Sequence, residues 1–136
     1  MDDIAFSDAT SLVEGLEARE FSSAELLEHY VTRMERYNPE VNAIVATQLD
    51  KARERAREAD QALARGQRWG ALHGLPMTVK ESYDIAGMAT TWGNPLLRDN
   101  IAESDAVACR RLQAAGAIIF GKTNVPLSLA DFQSYN

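Results

Sequence analysis

Two segments that contain a lysine carry residue patterns with a recognisable chemistry. The first, GAIIFGKT at residues 116–123, matches the phosphate-binding pattern G-x-x-x-x-G-K-S/T at every position. In such a loop a strand precedes the first glycine, and a helix begins at the Lys-Thr pair. The second, LPMTVK at residues 75–80, is an apolar run that ends in Lys80. The elements around each segment determine which chemistry it can perform.

The elements around GAIIFGKT stand in the wrong order for a phosphate-binding loop. SDAVACRRLQAAG has helical spacing, with Ser104 or Asp105 as its cap, and Gly116 ends it. The four variable residues, AIIF, predict a short strand that Gly121 ends. The Lys-Thr pair then leaves the strand and starts no helix. We therefore expect no nucleotide binding here, and we interpret Lys122 as a lysine at a strand end.

Lys80 is the residue whose position favours acid–base chemistry. If LPMTVK is a buried strand, Lys80 lies at its carboxyl end, where α/β sheets bind ligands. Desolvation at that place would favour the neutral amine, which can accept a proton. The alternative is a lysine that reaches solvent or pairs with Glu81 or Asp84. The pattern alone leaves both interpretations open.

The other polar candidates have simpler explanations. His29 and His73 have no ligand spacing between them, so no metal site is expected. Cys109 falls in a helical segment, where a packed, unreactive thiol is the usual case. The polar stretch TTWGNP, residues 90–95, is a loop that contacts a ligand or only connects two elements. No cofactor is expected.

The composition is that of a globular domain without a basic surface. The 136 residues are 46% hydrophobic and 25% charged, with a formal net charge of -6. Binding to nucleic acid or to an anionic membrane needs a basic footprint, so neither partner is expected. No apolar run approaches the roughly 18 residues of a membrane span. The N-terminus MDDIAFSDAT is acidic where a signal peptide would be basic, so we expect a cytoplasmic protein.

The first part of the chain predicts two helices and a strand. FSSAELLEHYVTRMERYNP starts with a capping box of Ser22 and Glu25, and Asn38-Pro39 is expected to end this helix. A shorter helix precedes it from about Asp8 to Ala18. VNAIVAT, residues 41–47, predicts a strand because it is rich in apolar β-branched residues.

The remainder predicts a helix followed by a small parallel sheet. LDKARERAREADQALARG is a long surface helix that Gly66 ends. After Gly70, short apolar runs alternate with glycine and proline. LPMTVK, the helix SDAVACRRLQAAG and the strand AIIF form a strand–helix–strand unit, which favours parallel pairing.

Several motifs in this order resemble those of the amidase signature hydrolases. GALHGLPMTVKESYDIAGMATTWG followed by DAVACRRLQAAGAIIFGKTNVP carries the resemblance, and FSSAELLEHYVTRMERYNPEVNAIV is similar to the helical lead-in of that family. The resemblance implies an α/β fold in a single unit spanning residues 1–136. Residues 1–69 would be the helical lead-in. Residues 70–136 would start the catalytic core, with the first strand–helix–strand units of an incomplete mixed sheet.

The resemblance also implies a reaction. Members of this family hydrolyse amides through an acyl-enzyme, with a Ser-cis-Ser-Lys triad. By that resemblance Lys80 is the triad lysine, a neutral base that deprotonates the bridging serine. Thr91, Ser128 and Leu129 are the expected contacts to a small-molecule amide substrate. Glu81 stands where many members have an aspartate, a change that keeps the charge.

The triad serines of the family belong to a stretch of the type G-G-S-S-G-G, which these 136 residues lack. We therefore expect the chain to supply one of three catalytic residues and to be inactive alone. Unpaired strand edges would favour homo-oligomers. One alternative is the A subunit of an aminoacyl-tRNA amidotransferase, although NVPLSLADF lacks the MDEF stretch of that protein. The other is a small non-catalytic module with a partial amidase fold.

Overall fold

The computed structural model describes residues 4–130 and Phe132. This part of the chain is α/β, with helices packed on both faces of a three-stranded sheet. Single turns of 3-10 helix lie at Ile4–Phe6, Pro95–Leu97 and Leu127–Leu129. In chain order the helices and strands are α1 (Ala9–Ala18), α2 (Ser23–Val41), β1 (Ile44–Thr47), α3 (Leu49–Ala64), β2 (Pro76–Lys80), α4 (Val107–Ala114) and β3 (Ile118–Thr123).

Side-chain caps explain where α1 and α2 begin. The Asp8 carboxylate accepts the backbone N–H of Ser11 at 3.0 Å. The predicted capping box of α2 is present: Ser22 Oγ accepts the N–H of Glu25 at 3.1 Å, and Glu25 Oε2 accepts the N–H of Ser22 at 2.8 Å. Each bond satisfies an N–H that the first helical turn leaves free.

The end of α2 differs from the prediction. The helix does not stop at Asn38-Pro39 but continues to Val41, because Pro39 has a helical φ and removes only one N–H from the last turn. The N–H of Asn42, in the left-handed conformation, closes the turn on the carbonyl of Asn38 at 2.7 Å. The predicted strand therefore starts later, at Ile44, whose N–H and carbonyl both bond to the Asn38 side chain.

The sheet is mixed, with β3 in its centre. β2 pairs with β3 in parallel, and β1 pairs with β3 antiparallel. The prediction that Gly121 ends this central strand is wrong, because β3 continues to Thr123. A Cβ at Gly121 would lie 2.9 Å from the carbonyl oxygen of Ala46, so the glycine permits close backbone approach inside the strand.

The two faces of the sheet bury different helices. On one face α2 and α3 pack against Ile118 and Phe120, and the buried alanines of α3, such as Ala56, allow the helix to approach closely. On the other face Val79 and Ile119 pack with Cys109 of α4. In the described part of the chain no helix is both long and apolar enough to cross a membrane.

The start of α4 also differs from the prediction. Neither Ser104 nor Asp105 caps the helix, which begins at Val107 after Ala106. The Asp105 carboxylate instead accepts the backbone N–H of Ala86 at 2.7 Å and the side-chain amide of Gln113 at 3.2 Å. A contact that is distant in sequence has thus replaced the local cap, and it ties α4 to the loop that follows β2.

Candidate active site

Lys80 lies at the strand end where the sequence places it. It is the last residue of β2, opposite Thr123 of β3, and its carbonyl accepts the N–H of Tyr83 at 3.0 Å. In this chain the residue is exposed, which fits the interpretation of a lysine that reaches solvent. Within residues 4–130 it forms no ion pair with Glu81 or Asp84. The structure therefore presents Lys80 to solvent at the carboxyl end of the sheet.

Glu81, the next residue, is the carboxylate that is buried at this edge. Only 3% of it is exposed. Its carboxylate accepts the N–H of Thr91 at 2.5 Å and the N–H of Trp92 at 2.9 Å, and its own N–H donates to the carbonyl of Thr123 at 3.0 Å. Glu81 therefore connects the end of β2 both to β3 and to the loop that contains Thr91 and Trp92.

Lys122 has surroundings that the sequence did not predict. It is the next-to-last residue of β3, near the strand end as expected, but it is fully buried. Its Nζ donates to the carbonyl of Ala89 at 2.6 Å and to Oγ1 of Thr90 at 2.9 Å. Burial lowers the pKa of its amine below the ordinary lysine value, while the negative charge of Glu81 opposes that shift.

The phosphate-binding pattern has the element order that the sequence predicted. Gly116 follows the end of α4, and three of the four residues between the two glycines form the first half of β3. Because the Lys-Thr pair completes that strand, the order is the inverse of a phosphate-binding loop. The amine of Lys122, which would contact phosphate in such a loop, is hydrogen-bonded inside the protein instead.

The expected substrate contacts lie in two adjoining segments. Thr91 is partly buried, and its Oγ1 accepts the N–H of Gly93 at 3.1 Å. Ser128 and Leu129 are exposed, and both have positive φ, at 51° and 62°. The N–H of Ser128 donates to the carbonyl of Trp92 at 2.7 Å, so the turn at 127–129 is bonded to the loop that Glu81 holds. Substrate contact at these residues stays a prediction.

Cys109 and His73, two of the other candidates, are both buried. Cys109 is 1% exposed, and burial raises the pKa of its thiol, as expected for an inert cysteine. His73 is buried, with Nδ1 accepting the N–H of Trp69 and Nε2 3.1 Å from the carbonyl of Ala59. Across residues 4–130 no three His, Cys, Asp or Glu side chains are grouped to hold a metal ion.

Comparison with known proteins identifies the family. The sequence model of the Amidase family matches residues 25–136. The putative amidase AmiB2 of Mycobacterium tuberculosis is 42% identical over 124 residues, which are 91% of this chain and 26% of that protein. The A subunit of the glutamyl-tRNA(Gln) amidotransferase of Methylococcus capsulatus is 39% identical over 114 residues, which are 84% of this chain and 23% of that protein.

A solved structure supports the same family assignment. The native peptide amidase from Stenotrophomonas maltophilia superposes with a TM-score of 0.81 and 33% identity, over 90% of this chain and 26% of that one. The chain thus spans about a quarter of the length of the relatives it matches. The matched residues include Lys80, the loop held by Glu81, and the whole of β3. Sequence, fold and the position of the candidate site therefore agree that this chain belongs to the amidase family.

Proposed function

We propose that this chain carries the lysine base of an enzyme that hydrolyses the C–N bonds of small carboxamides. The observation that supports this most directly is the position of Lys80 within the family match at residues 25–136. The lysine lies exposed at the carboxyl end of β2, beside a loop that hydrogen bonds to the buried Glu81 hold in place. An amine at such a strand end is able to reach a group that another segment supplies.

The proposed reaction is acyl transfer to a serine. We propose that residues outside these 136 cover Lys80 and so favour its neutral amine. That amine accepts a proton from a bridging serine, which takes the proton of a second serine as that oxygen attacks the amide carbonyl. The C–N bond breaks as a proton passes to the leaving nitrogen, and water then hydrolyses the resulting ester. Since the chain lacks the Gly/Ser-rich stretch of the family, we propose that both serines come from outside these 136 residues.

Thr91 and Ser128 are the residues that we propose to contact the substrate. Oγ1 of Thr91 accepts a bond from Gly93, which leaves the hydroxyl hydrogen able to donate. Ser128 and Leu129 lie on the exposed turn that is bonded to the same loop. Both segments adjoin the carboxyl end of β2, where a substrate would meet the lysine.

The test uses the full-length gene product that contains these residues. Release of ammonia from primary amides, or of an arylamine from aryl amides, is measured for the native protein and for Lys80→Ala. We expect the substitution to lower kcat more than about tenfold, a loss of at least roughly 1.4 kcal/mol in transition-state stabilisation. Lys51→Ala, at an exposed position of α3, is the matched control. A Lys80→Ala protein that keeps more than a tenth of kcat would show that Lys80 is not the base.

Two other functions are distinguished with the same full-length protein. The similarity to the A subunit of an amidotransferase supports the second candidate, glutamine-dependent amidation of an aminoacyl-tRNA. The absence of an MDEF stretch from NVPLSLADF favours the stand-alone amidase. Activity only with charged tRNA and partner proteins would favour the amidotransferase. A folded full-length protein that hydrolyses no amide would favour the non-catalytic module. The 136-residue chain by itself is expected to hydrolyse no amide.

A further inference from the structure

Two buried side chains of opposite charge hold the loop at residues 89–92. Lys122 bonds to the carbonyl of Ala89 and the hydroxyl of Thr90, at 2.6 and 2.9 Å. Glu81 accepts the N–H groups of Thr91 and Trp92, at 2.5 and 2.9 Å. The loop therefore turns its acceptors toward the cation and its donors toward the anion.

This arrangement is unusual for side chains that only fill the interior. Burying a charged amine or carboxylate is unfavourable unless hydrogen bonds compensate, and an apolar residue of similar size often stabilises such a position as well. Within residues 4–130 neither Lys122 nor Glu81 forms an ion pair with another side chain. Lys122 bonds to the first two residues of the loop and the Glu81 carboxylate to the next two, which indicates that the position of this loop is what they secure.

The loop is connected directly to the strand end that carries Lys80. Glu81 follows Lys80 in sequence, and its N–H bonds to Thr123, which lies opposite Lys80 in the sheet. Lys122 lies opposite Val79, the residue before Lys80. A change in the loop therefore acts on the backbone on both sides of Lys80.

We propose that Lys122 and Glu81 form a clamp on residues 89–92, and that Lys122 is in this way a positioning residue for Lys80. Lys122 does not touch the reacting atoms in this proposal. It fixes the loop against β3, and the loop in turn fixes Glu81 and the end of β2. The effect on turnover rests on the proposed function of Lys80, whereas the effect on the loop does not.

The first experiment compares the full-length native protein with Lys122→Met, which keeps most of the length of the side chain and removes its N–H donors. Hydrogen–deuterium exchange of a peptide that spans residues 89–93 is followed by mass spectrometry. We expect exchange there to become at least about tenfold faster, because a loop no longer held at Ala89 and Thr90 opens more often and frees the N–H groups of Thr91 and Trp92 from Glu81. Lys51→Met, at an exposed position of α3, is expected to leave this peptide unchanged.

The second measurement is kcat on the amide that the native enzyme hydrolyses. Lys122→Met is expected to lower kcat about tenfold or more. A positioning role predicts that adding Lys122→Met to Lys80→Ala lowers the residual kcat no further, because residues that act through one group are not additive. General loss of structure would lower the double variant below Lys80→Ala.

A milder pair of variants keeps the test decisive if Lys122→Met does not fold. Thr90→Val has nearly the same shape and removes only the hydroxyl that accepts from Lys122, whereas Thr90→Ser retains it. Faster exchange of residues 89–93 in Thr90→Val, with slow exchange kept in Thr90→Ser, supports the clamp.

Unchanged exchange in both Lys122→Met and Thr90→Val overturns the clamp. The positioning role is overturned if Lys122→Met exchanges faster but keeps full kcat. It is also overturned if the Lys80→Ala, Lys122→Met double variant has a lower kcat than Lys80→Ala. If the native protein hydrolyses no amide but Lys122→Met still accelerates exchange, the proposed function has failed and the clamp is supported.

Discussion

Replacing Gly116 by alanine tests the arrangement that joins α4, β3 and β2. Gly116 has a φ of 102°, in the region that favours glycine, and its carbonyl accepts the N–H of Gly74 at 2.9 Å just before β2. A Cβ at this position would lie 2.6 Å from Cα of His73 and 2.8 Å from its backbone nitrogen. Because both contacts are with backbone, the chain itself would have to move.

Gly66 provides a matched control. It also has a positive φ, of 74°, but a Cβ there would meet no heavy atom within 4 Å. Gly66→Ala should cost about 1–2 kcal/mol for the left-handed backbone, offset by roughly 0.4–1 kcal/mol from the less flexible unfolded chain. Gly116→Ala is destabilised by two contributions. The positive φ costs about 1–3 kcal/mol, and the clash of the new Cβ with the backbone costs about 1–3 kcal/mol more. We expect it to be roughly 2–4 kcal/mol less stable than Gly66→Ala.

Thermal and urea unfolding of the two purified variants measure this difference. For a domain of this size each kcal/mol lowers Tm by about 4 °C, so Gly116→Ala should melt roughly 8 °C or more below Gly66→Ala. If the two variants melted within about 3 °C of each other, Gly116 would not be packed against His73. That result would revive the alternative in which Gly116 faces open space, as the first glycine of a phosphate-binding loop does.

Two further predictions concern charged groups. Asp60 of α3 accepts the N–H groups of Ser23 and Ala24 at 2.7 and 3.1 Å, so Asp60→Asn should lower the free energy of unfolding by about 2 kcal/mol. Urea denaturation measures it against the exposed α3 control Glu54→Gln, and equal losses in both would contradict the capping role. Burial lowers the pKa of Lys122 in the folded state, so between that pKa and the ordinary lysine value the unfolded chain binds more protons. The native protein should therefore gain stability relative to Lys122→Met as the pH rises toward the ordinary lysine pKa of about 10.4, whereas a flat or falling difference in urea titrations would refute the shift.

Elements whose stabilising bonds are local were predictable. The capping box of Ser22 and Glu25 and the cap at Asp8 join residues three apart, so the sequence alone locates α1 and the start of α2. The apolar run that ends in Lys80 forms β2 as predicted. The helix before Gly116 and the strand after it appear in the predicted order, which argues against a phosphate-binding loop.

Where a distant group competes with a local one, the sequence prediction was wrong. Asp105 is a suitable helix cap, but the N–H of Ala86 takes its carboxylate. Gly121 is a typical strand terminator, but its missing side chain lets β1 approach closely and allows β3 to continue. The predicted end of α2 was wrong for a local reason: Pro39 has a helical φ, and the N–H of Asn42 closes the turn beyond it on the carbonyl of Asn38.

Contacts between distant parts of the chain also limit what the sequence predicts about the candidate site. The sequence by itself determined which residues could do chemistry and the family to which they belong, because residue type and order are local information. It did not determine that Lys80 would be exposed and Lys122 buried. The burial of a lysine depends on which polar groups from elsewhere in the chain surround its amine. For Lys122 these are the carbonyl of Ala89 and the hydroxyl of Thr90, more than thirty residues away, so only the tertiary structure decided it.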